Sequence, residues 1–384
     1  MHAPMGLLYL DAAIKRDLPY VRVDIDTEYD LSDDGIKMFK EYDAIGISVM
    51  TPQREEAGRI LNKIKSIWPE KVMMAGGSHV ADYTDDIAKE NWDYLLKGDG
   101  ERNIIKILKG EAIERISTDV LMGKDLELIP KPDRIGRRDF LEKHNYELKP
   151  GVKSTVLTVG RGCPLGCGFC SSARSSTRWH NIDLIKEELL DIKELGYEAF
   201  YIPDDIFAIN LERIKPYLYS IKKSGLIFRC NAHAKYMNDE FAAALKDAGC
   251  YELSFGIESG SQKILDSVGK KTSVQQNYDF IKIAKIYDIR IKAYFMLGLP
   301  GEDYKTVSET EKFIQKAIEE YGLENFQLSI YYPYKGTKIR KIMDRGEDID
   351  LQFLGEGLGA HTQGNAASEA RVRTRALSAE DLLR

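Results

Sequence analysis

Residues 154–170 have the sequence STVLTVGRGCPLGCGFC, an apolar strand that runs directly into a loop with three cysteines. From this strand onward, amphipathic helices alternate with short apolar strands. The predicted helices cover residues 182–195, 211–223, 238–248, 274–287 and 304–320. The predicted strands after the first cover residues 199–203, 226–231, 251–256, 291–297 and 326–331.

This alternation predicts an α/β fold with a parallel sheet that is covered by the helices. It supplies about six strand–helix units in roughly 200 residues, whereas a closed eight-stranded barrel usually needs about 250. The sequence therefore predicts a partial (β/α)6 TIM-type barrel over residues 151–345.

A second alternation occupies residues 1–110 and predicts a doubly wound, Rossmann-like parallel sheet. Its predicted strands cover residues 20–25, 44–49, 71–75 and 94–96. Such a domain normally opens with its central strand, but here a helix-like stretch comes first. We therefore expect the sheet to lack its first strand. Residues 111–150 have weak periodicity and are predicted to be a connector. The glycine-rich residues 346–384 are predicted to be poorly ordered or truncated.

The composition bounds the possible partners and the compartment. A net charge of −6 over 384 residues argues against a nucleic-acid partner, whose binding surface is normally basic. We find neither an apolar run of the length that a membrane span needs nor a secretory signal. Three of the five cysteines fall within eight residues, which is a poor disulfide framework. We therefore expect reduced thiols in the cytoplasm.

Cys163, Cys167 and Cys170 have the spacing Cys-x-x-x-Cys-x-x-Cys. Three thiolates on one short loop can bind three irons of a cubane cluster and leave the fourth iron open for a ligand. The alternative is a structural zinc site with His180 as its fourth ligand. Structural zinc sites usually bring their ligands as two separated pairs, so the spacing favours the cluster.

This spacing, with Phe169 directly before the third cysteine, resembles the signature of the radical S-adenosylmethionine (SAM) superfamily. The resemblance implies a 4Fe–4S cluster on the three cysteines, with SAM bound at the open iron. It also implies that an electron from the cluster cleaves SAM to a 5′-deoxyadenosyl radical. A small-molecule substrate and an external electron donor such as flavodoxin or ferredoxin follow from the same resemblance. The cofactors would do this chemistry, and the protein would position them.

Several predicted strand ends also resemble superfamily motifs, and functional residues of barrel folds gather at such ends. Asp204 and Asp205 would contact the SAM amino group; the structural alternative is a cap of the following helix. Glu258 would bind the ribose hydroxyls; the alternative is a carboxylate that favours a helix start. The residues implied to contact SAM are Phe169, Asp204, Asp205, Arg229, Glu258, Ser259, Gly298 and Leu299.

Residues 4–110 resemble the cobalamin-binding domain that precedes the radical domain in one subclass. The Asp-x-His-x-x-Gly motif that ligates cobalt in many cobalamin proteins is absent, and we expect a structural role for His79. No cysteine precedes Cys163, which argues against the methylthiotransferase branch. Ligands of open parallel sheets lie at the carboxyl ends of the strands. The residues implied to contact cobalamin are Ser48, Thr51, Gly76, Gly77 and Gly100.

The leading hypothesis is cobalamin-dependent radical methyl transfer to an unactivated carbon or phosphorus of a small molecule or natural-product intermediate. A radical cyclase or rearrangement enzyme is the near alternative. A non-catalytic iron–sulfur protein that senses redox state or passes electrons belongs to another class. The strand-end motifs argue against it, because an electron carrier has no use for an adenosine pocket.

Overall fold

The computed structural model describes residues 2–28, 30–32, 34–173, 175–355 and 369–383. The chain divides into two compact units, one of residues 4–143 and one of residues 1–3 and 144–384. The division falls between residues 143 and 144, inside the segment 111–150 that is predicted to be a connector. The first unit contains, in chain order, α1 (Met5–Asp17), β1 (Ala44–Ser48), α2 (Arg54–Ile67), β2 (Val72–Gly76), α3 (Ser78–Asp82), α4 (Thr84–Ile87), β3 (Tyr94–Gly98), α5 (Glu101–Leu108), β4 (Ile116–Asp119), α6 (Lys124–Glu127) and α7 (Arg138–Glu142).

The sheet of the first unit has the strand order β1-β2-β3-β4, and all its strands are parallel. Leu61 and Ile64 of α2 pack against Met73, Ala75 and Leu95 of the sheet, and all five are buried. Because parallel strands align their carboxyl ends, the loops after β1, β2 and β3 meet at one edge.

The predicted strand at residues 20–25 is wrong. This segment is extended but unpaired, and Val21 and Val23 pack beside Leu18 and Ile105 instead. A strand exists only where a neighbour accepts and donates its ladder hydrogen bonds. Among the described residues, the segment 20–25 pairs with no strand, and β1 pairs only with β2.

The predicted connector at residues 111–150 also needs correction. β4 lies within it and pairs with β3, with Leu95 in register with Ile116. Arg102 of α5 donates to the carboxylate of Asp119, which fixes the end of this strand. Residues 111–143 are therefore part of the first unit.

The second unit contains a seven-stranded sheet of order β13-β12-β11-β10-β9-β6-β5, which curls into a partial barrel. Neighbouring strands are parallel except β5, which is antiparallel to β6. The α/β fold class and the partial barrel are thereby confirmed. In chain order the elements are β5 (Tyr146–Glu147), β6 (Lys153–Val156), β7 (Gly160–Arg161), β8 (Arg178–Trp179), α8 (Ile182–Glu194), β9 (Ala199–Ile202), α9 (Leu211–Ser224), β10 (Ile227–Asn231), α10 (Asp239–Asp247), β11 (Cys250–Glu258), α11 (Gln262–Ser267), α12 (Val274–Ile286), β12 (Arg290–Leu297), α13 (Tyr304–Tyr321), β13 (Asn325–Ile330), α14 (Lys338–Asp344), β14 (Gln352–Phe353) and β15 (Val372–Arg373).

The barrel helices begin where a polar side chain can accept a free backbone N–H. Asn210 caps α9, Asn238 caps α10, and Ser273 and Asp303 form capping boxes at α12 and α13. These caps sit directly after the loops that follow the strands. They therefore fix where each loop at the carboxyl edge of the barrel ends.

The C-terminal segment differs from its prediction where the structure describes it. Residues 356–368 lie outside the described residues. β14 and β15 pair antiparallel, and Val372, Leu377 and Leu382 are buried in a cluster with Leu299. Residues 369–383 are thus packed against the barrel and not poorly ordered. Among the described residues, no helix is long and apolar enough to cross a membrane.

Candidate functional site

The three cysteines lie on one loop that a short antiparallel pair closes. Gly160 pairs with Trp179 and Arg161 with Arg178, so the chain leaves β7 and returns through β8. Cys163 and Cys167 are buried and Cys170 is half-buried. All three thiols therefore lie on one short loop, and their role as cluster ligands stays a prediction.

Asp205 anchors the start and middle of this loop. Its carboxylate accepts a hydrogen bond from the Gly162 N–H at 3.1 Å and one from the Ser172 hydroxyl at 2.7 Å. Gly162 has a φ of +88°, a conformation that glycine adopts without cost. Ser175 accepts from the Cys163 N–H at 2.8 Å. Hydrogen bonds on both sides thus fix the backbone around the first cysteine.

Asp204 lies one residue earlier and supports the same region. Its Oδ1 accepts from the Val159 N–H at 3.1 Å, while its buried Oδ2 has no partner among the described residues. Burial raises the pKa of this carboxyl well above its usual value. Because Asn210 caps α9, the helix-cap interpretation of these aspartates is wrong. Contact of either aspartate with SAM stays a prediction.

The far side of the loop is fixed to the helices of the barrel. The Gly168 N–H donates to the Val268 carbonyl at 2.7 Å, and the Ile339 N–H donates to the Gly168 carbonyl at 2.9 Å. A Cβ at position 168 would lie 3.2 Å from the Ile339 side chain. The glycine between the second and third cysteines therefore permits a close approach of two backbones.

A buried ion pair lies beside the cysteines. Lys270 Nζ is 2.6 Å from Glu258 Oε1, and both side chains are more than nine-tenths buried. Lys270 Nζ also lies 5.8 Å from the centre of the Phe169 ring. Glu258 has a φ of +67° at an irregularity in the pairing of β11 with β12. Such a backbone is costly for a glutamate, and it turns the side chain toward the lysine.

Burial raises the pKa of each cluster cysteine, that of Cys170 to about 11. The positive charge of Lys270 acts in the opposite direction on Cys163 and Cys167. For Lys270 itself, burial opposes the charge, but Glu258 and Cys167 outweigh it and the pKa is raised. Thiolates in this pocket therefore require nearby cations, which Lys270 and the irons of a cluster would supply.

Lys270 is a site residue that sequence reasoning missed. It lies twelve residues after Glu258, beyond α11, and no local periodicity links the two positions. One signal could have identified Lys270. It follows Glu258, a carboxylate at a strand end, and a buried carboxylate needs a counterion.

Ser259 has a structural partner. Its hydroxyl is fully buried and lies 3.0 Å from that of Thr310 in α13, which ties the end of β11 to a barrel helix. This contact does not test its predicted role with SAM, which stays a prediction.

Gly298 and Leu299 form the loop after β12, and Glu302 holds it. The Gly298 N–H donates to the Glu302 carboxylate, and Leu299 is fully buried. Burial raises the pKa of Glu302 to about 7, although the N–H groups of Gly298 and Leu299 act against this rise. The loop predicted to contact SAM is therefore held by a carboxylate at its own end.

Arg229 lies inside β10 and not at its end. Its Nη1 is 3.5 Å from Glu252 Oε1, and its guanidinium carbon lies 4.1 Å from the centre of the Tyr201 ring. The last residue of the strand is Asn231, whose amide donates to the Asp204 carbonyl at 2.8 Å. The predicted contact of Arg229 with SAM is not tested by this placement.

In the first unit, four predicted cobalamin residues lie around the ends of β1 and β2. Ser48 is in register with Gly76, and Gly77 follows with a φ of +96°. A Cβ on Gly77 would lie 2.8 Å from the Val49 carbonyl oxygen. Thr51 Oγ1 lies 3.4 Å from His79 Nδ1. The fifth residue, Gly100, precedes α5 as its N-cap.

His79 has structural neighbours, in line with its expected role. It is buried in α3, and its ring stacks on that of Tyr83 with the centres 4.9 Å apart. Across the described residues, no three His, Cys, Asp or Glu side chains converge as they would on a single metal ion.

A family profile described as the radical SAM superfamily matches residues 157–314. Residues 157–314 therefore form a radical SAM domain. The matched residues include the cysteine loop and the ends of β9 to β12. This domain makes the chain an enzyme, and it implies a 4Fe–4S cluster and SAM as its cofactors.

Curated proteins with similar sequences are named for two kinds of reaction. An uncharacterized methyltransferase of Pyrococcus horikoshii is 29% identical over 88% of this chain and 77% of its own length. The cytidylyl-2-hydroxyethylphosphonate methyltransferase of Streptomyces wedmorensis is 23% identical over 84% of this chain and 71% of its own length. The anaerobic magnesium-protoporphyrin IX monomethyl ester cyclase of Rubrivivax gelatinosus is 26% identical; the match covers 84% of this chain and 63% of the cyclase.

Solved structures confirm the fold of this chain over most of its length. The radical SAM methyltransferase TsrM of Kitasatospora setae, solved with tryptophan and a SAM analogue, matches with a TM-score of 0.71 at 16% identity. That match covers 93% of this chain and 77% of TsrM. The cobalamin-dependent radical enzyme OxsB, solved with aqua-cobalamin, matches with a TM-score of 0.73 at 17% identity, over all of this chain and 63% of OxsB.

Proposed function

We propose that the chain holds a 4Fe–4S cluster on Cys163, Cys167 and Cys170 and cleaves SAM reductively. We further propose that it uses cobalamin to transfer a methyl group to an unactivated carbon or phosphorus of a small molecule. The observation that carries this proposal is the position of the three thiols on one anchored loop beside the buried cation of Lys270. Three cysteine ligands leave one iron of a cubane open for SAM.

The chain's own residues prepare this site in distinct ways. When bound, the cluster supplies the electron that cleaves SAM. Asp205 fixes the loop that carries the ligands. Lys270 offsets negative charge on the buried thiolates, and its partner Glu258 offers a carboxylate at the strand end that suits ribose hydroxyls.

Cobalamin use is supported by two independent observations. Ser48, Gly76 and Gly77 lie together at the carboxyl edge of the first sheet, where open parallel sheets bind their ligands. OxsB, which shares the fold over the whole chain, was solved with aqua-cobalamin. Methyl transfer is supported by the methyltransferase relatives, and the cyclase relative supports radical cyclisation as the second candidate.

We also propose an external electron donor such as flavodoxin or ferredoxin, and a cytoplasmic location. All five cysteines are free thiols, which supports a reducing compartment.

Anaerobic reconstitution with iron and sulfide tests the cluster and SAM cleavage. We expect cluster absorbance, a change of the reduced cluster's spin-resonance spectrum on addition of SAM, and formation of 5′-deoxyadenosine. The triple variant C163A/C167A/C170A loses all three, because the irons have no protein ligands. Cys250→Ala is the matched control, since this buried cysteine lies outside the loop. Wild-type protein that binds the cluster but forms no 5′-deoxyadenosine contradicts the proposal.

Methyl transfer is tested separately with hydroxocobalamin and SAM labelled in its methyl group. We expect the chain to bind cobalamin and, after reduction, to carry the label on the cobalt. Cobalamin binding without label transfer, together with 5′-deoxyadenosine formation, favours the cyclase. Protein that binds no cobalamin contradicts the cobalamin part of the proposal.

A further inference from the structure

The barrel sheet has two faces of opposite character. On the outer face, Phe255 stacks on Phe280 of α12 with ring centres 4.0 Å apart, and Phe295 packs against Phe313 of α13 at 6.0 Å. Phe228 on the same face stacks on the buried ring of Phe200. These residues form the apolar layer between the sheet and its helices.

The alternate residues of the same strands face the interior of the partial barrel, here called the lumen. Barrel interiors are normally filled by branched apolar side chains. In this chain the lumen side of β9 to β13 is polar and mostly half-buried, so water and solutes can reach it. Its polar members are Tyr201, Arg229, Asn231, Glu252, Ser254, Lys292, Tyr294, Gln327 and Ser329.

Arg229 is held in place but incompletely bonded. Its guanidinium stacks on Tyr201, and its distance of 3.5 Å from Glu252 is too long for a strong hydrogen bond. Its Nε is buried and has no hydrogen-bond partner among the described residues. An arginine fixed by stacking, with donors left over, is suited to bind a planar or tetrahedral oxyanion.

A second cation and a free hydroxyl lie on neighbouring strands. Ser254 is in register with Lys292 on β12, and its Oγ is buried without a partner in the described part of the chain. Lys292 Nζ lies 5.6 Å from the centre of the Tyr294 ring, and no carboxylate among the described residues pairs with it. His2 also lies at the lumen, with its ring centre 5.4 Å from that of Tyr201. Burial and the positive charges of Arg229 and Lys292 lower the pKa of His2.

The lumen therefore holds two cations that face one carboxylate, together with unused donors on Arg229 and Ser254. We propose that it binds an oxyanionic group of the substrate, a carboxylate or a phosphate, through Arg229 and Lys292, with Ser254 as a further donor. This proposal rests on the proposed function in one respect: the molecule bound in the lumen is the substrate of that reaction. It assigns Arg229 to substrate binding instead of SAM binding.

Titration calorimetry on the reconstituted full chain with SAM bound tests the proposal. The probes are phenyl phosphate and benzoate, with benzyl alcohol as the neutral analogue, all at one ionic strength. We expect saturable binding of at least one oxyanion and none of the alcohol. The two oxyanion arms show whether the site prefers phosphate or carboxylate.

Substitution identifies the residues. Arg229→Gln and Lys292→Met should each weaken probe binding about tenfold or more, since each removes a charged donor. Arg229→Lys keeps the charge but loses the paired N–H donors of the guanidinium. This variant should bind the probe with intermediate affinity. Lys316→Met is the matched control: its Nζ also lies near a tyrosine ring, at 5.0 Å from Tyr278, but on an outer helix.

Three results overturn the proposal: no saturable binding of either oxyanion, equal binding of benzyl alcohol, or unchanged affinity in both the Arg229 and Lys292 variants. Cluster content and circular dichroism confirm that each variant is folded. The same preparations are assayed for 5′-deoxyadenosine. If this product forms but no oxyanion binds, the lumen proposal fails while the proposed function stands.

Discussion

The carboxyl of Glu302 makes the stability of the chain depend on pH in a predictable direction. Its pKa of about 7 exceeds the usual 4.5, which corresponds to about 3 kcal/mol. Between these values the folded state keeps a proton that the unfolded state releases. The free energy of unfolding should therefore fall as pH rises from about 4.5 to about 7, by up to about 3 kcal/mol.

Urea unfolding of wild type and Glu302→Gln at pH 5 and pH 7.5 measures this contribution. The variant cannot titrate at this position, so its loss of stability between the two pH values should be smaller. Equal losses in both proteins would show that Glu302 is ionised throughout.

The ion pair of Lys270 and Glu258 makes a second prediction for single residues. Lys270→Met leaves a carboxylate buried without its counterion, and such losses cost about 3–5 kcal/mol. The double variant E258Q/K270M removes both charges and should recover most of this stability. Lys271→Met, which changes the exposed neighbouring lysine, is the control for urea unfolding. A double variant no more stable than Lys270→Met would contradict an interaction between the two side chains.

At the scale of elements, the C-terminal segment supports the loop after β12. A Cβ on Gly298 would lie 2.9 Å from Val372 and 3.0 Å from Leu382, and the Thr374 hydroxyl donates to the Glu302 carbonyl at 2.7 Å. Leu382→Ala should lower the free energy of unfolding by about 2–4 kcal/mol and weaken SAM binding.

Leu383→Ala is the matched control for Leu382→Ala, because Leu383 is 44% exposed and should contribute within about 0.5 kcal/mol. Urea unfolding and SAM titration of both variants check the prediction. Similar effects of the two substitutions would show that the segment contributes through its presence and not through this packing.

The sequence predicts an element well where its signals are local. α9, α10, α12 and α13 begin at side chains that cap them, and their apolar faces repeat with the helical period. Residues 20–25 have equally strong strand composition, but pairing is a tertiary property that composition does not contain. The cysteine loop is likewise local, whereas the contact of Lys270 with Glu258 depends on how the chain returns after α11.

For the whole molecule, the two units follow from the two regions of alternating strands and helices. Their boundary was misplaced because β4 is an edge strand with an exposed, polar sequence, so its periodicity is weak. Glycine content around residues 355–364 led to the prediction of disorder at the C-terminus. Glycine content gives no information on Val372, Leu377 and Leu382. These residues are buried by apolar partners that are distant in sequence.

The sequence alone also does not predict that the polar residues of the lumen lie together. Arg229 and Lys292 lie on different strands, and each alternates with core residues of the same strand. Only the register of the strands, which a single sequence does not determine, brings them to one face.

The buried pair beside the cysteines also limits the order in which its residues can be substituted during evolution. A side chain at position 256 would intrude on the Glu258 carboxylate and come within 2.9 Å of Lys270 Nζ, so Gly256 belongs to the same unit. If Lys270 is lost first, the Glu258 carboxylate stays buried without a counterion. If Glu258 is lost first, Lys270 still lies near Cys167 and Cys170. Their negative charge favours the protonated form of the lysine. We therefore expect homologous sequences to lose the charge at position 258 before the charge at position 270. A side chain at position 256 should be gained last.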